Sequence, residues 1–153
     1  MSFSRKIPFT PSAFIKMQQD VLDLQHEEQE VLGRLKIARE MGDLSENGAY
    51  RYAKFELGRI RRELRRLQHL IAHGETVETT SSDVAGFGNT ITVRAADKTV
   101  QYQLVSKYES DPQNGKLSME GPLGQQILGK KVGDTVTVQA PAGAITYSLI
   151  AIT

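Results

Sequence analysis

Residues 57–71 read Leu57-Gly-Arg-Ile-Arg-Arg-Glu-Leu-Arg-Arg-Leu-Gln-His-Leu-Ile71, in which Leu57, Ile60, Leu64, Leu67 and Ile71 recur at spacings of 3, 4, 3 and 4. That spacing keeps apolar side chains on one stripe of an α-helix, as in the seam of a coiled coil. Upstream, Phe14, Met17, Val21, Leu24, Glu28, Val31, Leu35 and Ala38 follow the same rule, with Glu28 as the one polar break. Gly33 is off the seam and costs roughly 1 kcal/mol relative to Ala. Two such seams, separated by Gly42-Asp-Leu-Ser-Glu-Asn-Gly48, predict an antiparallel helical hairpin. Gly42 suits the end of the first helix, and Asp43 or Ser45 suits the N-cap of the second. At 1.5 Å per residue, Phe14 to Met41 makes an arm roughly 40 Å long. Such an arm reaches into something.

After Gly74 the helical period stops. Residues 75–87 are rich in Thr and Ser and read as a linker. Alternation with a period of two then appears in Thr90–Arg94, Val100–Val105, Thr135–Val138 and Ile145–Ile150. Turn residues at Asp97-Lys98, Asn114-Gly115, Gly133-Asp134 and Pro141–Gly143 separate these runs. Pro122 to Leu128 reads as one short helix, with Pro in its first turn and Gly129 past its end. The expectation is an α+β chain: a coiled-coil hairpin over 1–74 with its tip at about 42–48, a linker over 75–87, and a small antiparallel sheet with one helix over 88–153.

The chain of 153 residues has no cysteine, which excludes a disulfide framework, a thiolate nucleophile and a Cys-based zinc site. No run of 18 apolar residues is present, so no membrane-spanning helix is expected. A basic N-terminus without an apolar run of signal-peptide length, in a chain lacking cysteine, fits a soluble cytoplasmic protein. The net charge of +1 is unevenly spread: residues 51–66 carry a net +5 and residues 20–40 a net −3. A global charge near zero argues against indiscriminate coating of nucleic acid, but a local basic strip can still meet an acidic partner.

Four groups of residues are candidates for chemistry. Asp43 and Glu46, three apart at the end of the arm, could converge on a Mg²⁺ ion, for which they are hard oxygen ligands too few to hold it alone. The same spacing is close to a capping box, and spacing by itself leaves both readings open. Arg51, Arg59, Arg62, Arg65 and Arg66 fall opposite the seam of the second helix, outnumbering Glu56 and Glu63 on that helix. They would be a solvated face or a contact for phosphates or an acidic protein. Gly124-Gln-Gln-Ile-Leu-Gly-Lys130 spells a phosphate-loop pattern but lacks the following Ser or Thr and the helix that such a loop opens. His69 and His73 are four apart without a third ligand nearby in sequence, short of a closed zinc site.

Two segments carry a resemblance. Ala38-Arg-Glu-Met-Gly-Asp-Leu-Ser-Glu-Asn-Gly-Ala-Tyr50 resembles the tip signature of the bacterial Gre transcript-cleavage factors. Gly121-Pro-Leu-Gly-Gln-Gln-Ile-Leu-Gly-Lys-Lys-Val-Gly-Asp134 resembles their second signature. The Arg-rich second helix is similar to the GreB branch, and Gly42-Asp-Leu to the GreA branch. The resemblance covers essentially the whole chain. It implies a coiled-coil hairpin and a C-terminal domain resembling the FKBP fold, which docks at the rim of the secondary channel of bacterial RNA polymerase. It implies that Asp43 and Glu46 are the tip acids that help polymerase cut the 3′ end of backtracked nascent RNA, completing the shell of a Mg²⁺ ion shared with polymerase. The basic patch that contacts extruded RNA would fall on Arg59–Arg66. The protein would then be a monomeric transcription elongation factor, not an enzyme by itself. An inhibitor of the same channel with an unproductive tip, or a peptide-binding prolyl-isomerase-like module, are the alternatives.

Overall fold

The computed structural model describes residues 5–42, 47–79 and 82–153. Helix α1 spans Pro11–Arg39 and α2 spans Gly48–His73. Pro11 opens α1 with a φ already helical and no amide to satisfy, while Thr10 Oγ1 accepts the Ala13 amide at 3.3 Å. The seam of α2 is buried along its length at Ala53, Leu57, Ile60, Leu64, Leu67 and Leu70. The stripe therefore begins one turn before Leu57 and ends on Leu70, whereas the expected last member, Ile71, is only half-buried. Helix α1 buries Met17, Val31, Leu35 and Ala38, and leaves Val21 and Leu24 half-buried. Val31, Leu35, Ala53, Leu57, Ile60 and Leu64 form one apolar cluster, joined by Val21, Leu24, Leu32 and Tyr50. The half-buried Glu28 that breaks the α1 seam accepts Arg61 Nε of α2 at 2.9 Å.

The second compact unit comprises residues up to Ala13 together with Glu75–Thr153, and the hairpin Phe14–Gly74 is the first. Strand β1 (Ile7–Phe9) pairs with β2 (Gly74–Thr76). Thr10 donates its amide and hydroxyl to the Glu109 carboxylate at 2.9 and 2.8 Å, which ties this N-terminal segment to the C-terminal unit. Strands β3 (Thr90–Ala95), β4 (Lys98–Val105), β5 (Lys116–Ser118), β6 (Thr135–Ala140) and β7 (Gly143–Ile152) make a sheet in the order β5-β4-β3-β7-β6. Three of its four pairings are antiparallel, as expected, but β4 and β5 run parallel through Gln103↔Lys116 to Val105↔Ser118. The sheet is mixed because the chain after β4 loops back through a 3₁₀ turn at Pro112–Asn114 instead of a hairpin. The β3–β4 turn is Ala96-Asp97, so Lys98, expected in the turn, opens β4.

Helix α3 (Pro122–Ile127) has Pro122 in its first turn and packs its buried Leu123 and Ile127 on the sheet core of Ile91, Val93, Leu104, Val136 and Leu149. Ala85, from the stretch expected to be linker, is also part of that core. Gly124, the first glycine of the phosphate-loop pattern, is buried in α3, where a Cβ would lie 1.9 Å from the Ser118 carbonyl oxygen. Packing, not phosphate, accounts for it. No helix among the described residues is long and apolar enough to cross a membrane.

Candidate functional site

The distal end of the hairpin is shaped by one side chain. Asn47 caps α2: its Oδ1 accepts the Tyr50 amide at 3.1 Å, which satisfies one of the amides a helix start leaves orphaned. Its Nδ2 donates at 2.8 Å to the Ala38 carbonyl in the last turn of α1, which also accepts the Met41 amide at 3.2 Å. A single amide side chain thus closes both helices. The cap was expected at Asp43 or Ser45; it is Asn47, because only a residue adjoining Gly48 can reach the amide at the third helical position. Asp43 and Glu46 themselves lie outside the described residues. On the α1 side, Gly42 has φ of +111°, a conformation costly for residues with a Cβ, and it ends the helical path after Met41.

The arginines opposite the seam divide into two sets. Arg59 Nη2 donates to Glu27 of α1 at 2.9 Å, and Arg61 to Glu28 as above. Arg66 makes a bidentate pair with Glu63, at 3.0 and 2.5 Å. That hydrogen bonding pulls the Glu63 carboxyl below the usual carboxylate range and raises Arg66. Arg34 Nη2 of α1 stands 2.9 Å from Glu56 Oε2. Arg51, Arg62 and Arg65 are exposed and make no ion pair among the described residues. So of the five arginines in the expected strip, Arg59 and Arg66 are tied to carboxylates and three are open to a ligand. Counting acids on α2 alone missed Glu27, which comes from the other helix.

Around the tip, several apolar side chains stay in water. Met41 is 72% exposed, Phe55 70%, Tyr52 64% and Ile37 61%. Arg34, Ile37, Ala38, Met41, Ala49, Tyr52 and Ala53 line a cavity of about 240 Å³ between the last turns of α1 and the first turn of α2. The signal was in the sequence: the exposed Ile37, Met41, Tyr52 and Phe55 lie off both seams, while Ala38 and Ala53 belong to them. His69 and His73 stack at 4.2 Å between ring centroids, and His73 Nδ1 lies 2.9 Å from the His69 carbonyl oxygen. No group of three or more metal-ligating residues occurs among the described residues.

The sequence of the two units matches known families. Residues 7–75 match the N-terminal domain of transcription elongation factors, and residues 79–153 match the C-terminal domain of the transcription elongation factors GreA and GreB. Transcription elongation factor GreA of Thermosipho africanus is 39% identical over 127 residues, covering 80% of each chain. GreA of Thermotoga neapolitana is 34% identical over 153 residues, covering 97% of this chain and 98% of its own. The crystal structure of GreA factor homolog 1 from Thermus thermophilus aligns with 97% of this chain and 99% of its own, at 24% identity and a TM-score of 0.47. A relative this similar along nearly its whole length, with both domains matched in order, makes this chain a member of the GreA/GreB family of transcription elongation factors.

Proposed function

We propose that this elongation factor binds bacterial RNA polymerase through its C-terminal unit, inserts the hairpin into the secondary channel and stimulates cleavage of the 3′ end of backtracked RNA. Asp43 and Glu46 are the acting groups. The observation that carries this reading is the cap at Asn47: the structural job that would otherwise explain an acid at position 43 is done by another residue. Two carboxylates are fitting but insufficient donors for Mg²⁺, so the remaining ligands belong to polymerase. When bound, Mg²⁺ lowers the pKa of a coordinated water and offsets charge on the phosphodiester. Asp43 and Glu46 supply oxygens that orient that water, and Arg51, Arg62 and Arg65 hold phosphates of the extruded RNA. The factor works as a monomer in the cytoplasm, and half of the active site belongs to its partner.

Asp43→Asn and Glu46→Gln should each lower stimulated cleavage by at least the roughly 10–100-fold that loss of an outer-shell partner of a metal ligand costs. Binding to polymerase and thermal stability should stay at wild-type values, because the cap is elsewhere. Asp43→Asn with full cleavage activity would sink the tip assignment. A wild-type protein that binds polymerase and suppresses cleavage would make it a channel inhibitor instead.

A further inference from the structure

Asn47 carries two different bonds on one planar group. Its Oδ1 accepts the Tyr50 amide at 3.1 Å inside α2, and its Nδ2 donates at 2.8 Å to the Ala38 carbonyl, nine residues back on α1. Capping alone does not ask for this residue. Ser and Asp cap a helix about as well as Asn does. Ser, however, has a single oxygen for both tasks, and Asp has only acceptors, which would set a carboxylate oxygen against the Ala38 carbonyl oxygen. Of the three, only Asn offers an acceptor and a donor on one rigid plane. The cross-helix bond is not needed to satisfy Ala38 either. That carbonyl already accepts the Met41 amide at 3.2 Å, so losing the Asn47 donor orphans no acceptor. The bond's effect is geometric: it ties the start of α2 to the last turn of α1 at Ala38, which is itself fixed by burial. Arg39 of α1 over the Tyr50 ring of α2, at 5.8 Å, supports the same closure. Asp43 and Glu46 lie in sequence between these two anchors, and Glu46 adjoins Asn47. Groups that complete a metal shell must be held within about 0.5 Å of their working place by residues behind them.

We propose that Asn47 is a positioning residue for the tip acids: its bond to the Ala38 carbonyl pins both ends of the chain that carries Asp43 and Glu46, so that the two carboxylates reach the shared Mg²⁺ together. The inference rests on the proposed cleavage function, and adds to it a residue that acts through the acids and is not itself a metal ligand.

The test uses the full chain with polymerase complexes halted in a backtracked state. Two quantities are read: the cleavage rate at saturating factor, and the factor concentration that gives half that rate. Asn47→Ser keeps a capping oxygen and should fold, which circular dichroism and a thermal melt check. At limiting Mg²⁺ its saturated rate should fall about tenfold, the low end of what loss of an outer-shell partner of a metal ligand costs. The half-maximal concentration should not move, because docking belongs to the C-terminal unit. Raising Mg²⁺ should restore the rate by refilling a loosened site, whereas a loss of folded protein would not respond to Mg²⁺. On an Asp43→Asn background, Asn47→Ser should cost nothing further, since a residue that acts through the acid pair has no effect once the pair is broken. Asn47→Ser with the wild-type saturated rate at limiting Mg²⁺ overturns the proposal. So does a loss that persists undiminished on the Asp43→Asn background, or one confined to the half-maximal concentration, which would make Asn47 a docking contact. Wild-type cleavage by Asp43→Asn itself defeats the tip assignment and this inference with it. Slow cleavage there, beside wild-type cleavage by Asn47→Ser, defeats this inference alone.

Discussion

Helix α2 presents two faces that obey different rules. On its seam, Ala53, Leu57, Ile60, Leu64, Leu67 and Leu70 are all buried, and position along the helix decides the fate of each. Off the seam, six arginines, five opposite it and Arg61 beside it, share one residue type but not one fate. Arg59, Arg61 and Arg66 are held by Glu27, Glu28 and Glu63, whereas Arg51, Arg62 and Arg65 make no ion pair among the described residues. Apolar burial is non-directional, so a stripe suffices to specify it. A guanidinium needs a carboxylate in a fixed place, and two of the three that tie these arginines come from the other helix. The charged face therefore mixes residues that hold the hairpin with residues available to a ligand.

The largest expected effect tests the seam. Ile60 is fully buried in the apolar cluster, and Ile60→Ala should destabilise the hairpin by about 2–5 kcal/mol, through lost transfer energy and the cavity left behind. Arg62→Ala, one turn-half away and exposed, should change stability by less than about 0.5 kcal/mol. Chemical denaturation followed by circular dichroism reads both. Similar losses for the two variants would erase the distinction between the faces.

A smaller effect divides the arginines themselves. Replacing Arg51, Arg62 and Arg65 together by Gln should leave stability unchanged and weaken action on long-backtracked complexes, which expose the most RNA. The salt dependence of that action should also fall, by about 0.7 of a log unit per log unit of salt for each lost single-strand phosphate contact. Replacing Arg59, Arg61 and Arg66 by Gln should do the opposite. It should cost stability, at about 0.2–1 kcal/mol for each exposed pair, and leave the salt slope in place. If the second set lowered the slope as much as the first, the ion pairs would open on binding and the division would not hold.

The legible part of the fold follows from the same difference. Both seams, the short helix at Pro122 and the four main strands could be read from local periodicity, because each depends on residues within a few positions of one another. The parallel pairing of β4 with the three-residue β5, the β1–β2 pair and the burial of Ala85 depend on partners far along the chain, and no local pattern announces them. The cap shows the limit at a single residue. Asp43, Ser45 and Asn47 are all good cap types, and only the start of α2 at Gly48 chooses Asn47. For the basic strip, residue type and helical phase were readable, but the Glu27 partner that pairs with Arg59 lies 32 residues away. The apolar cavity near the tip was visible only through Ile37, Met41 and Tyr52, which fit neither seam.

The smallest effect isolates the one pair on this face formed within α2 itself. Glu63 and Arg66 are three residues apart and both partly exposed, at 39% and 53% of their side chains. A pair at this spacing is worth about 0.2–0.5 kcal/mol, and exposure to solvent screens it toward the lower end. Hydrogen bonding from Arg66 is the main cause that lowers the Glu63 carboxyl, opposed by partial burial and by Asp20 of α1. A lowered carboxyl contributes stability that is fully present above the ordinary carboxylate pKa and is lost as pH falls through its own lower value. Arg66 is raised, so its contribution is lost only in strong alkali and stays constant through this window. The stability gap between wild type and Glu63→Gln should therefore be greatest near neutral pH and close on acidification, below the range where free carboxylates titrate. Added salt should narrow it as well. A gap that stays flat down to the acid limit, and indifferent to salt, would mean that Gln keeps the same hydrogen bond and that charge plays no part. The within-helix pair would then differ in kind from the Arg59–Glu27 and Arg61–Glu28 pairs that bridge the two helices.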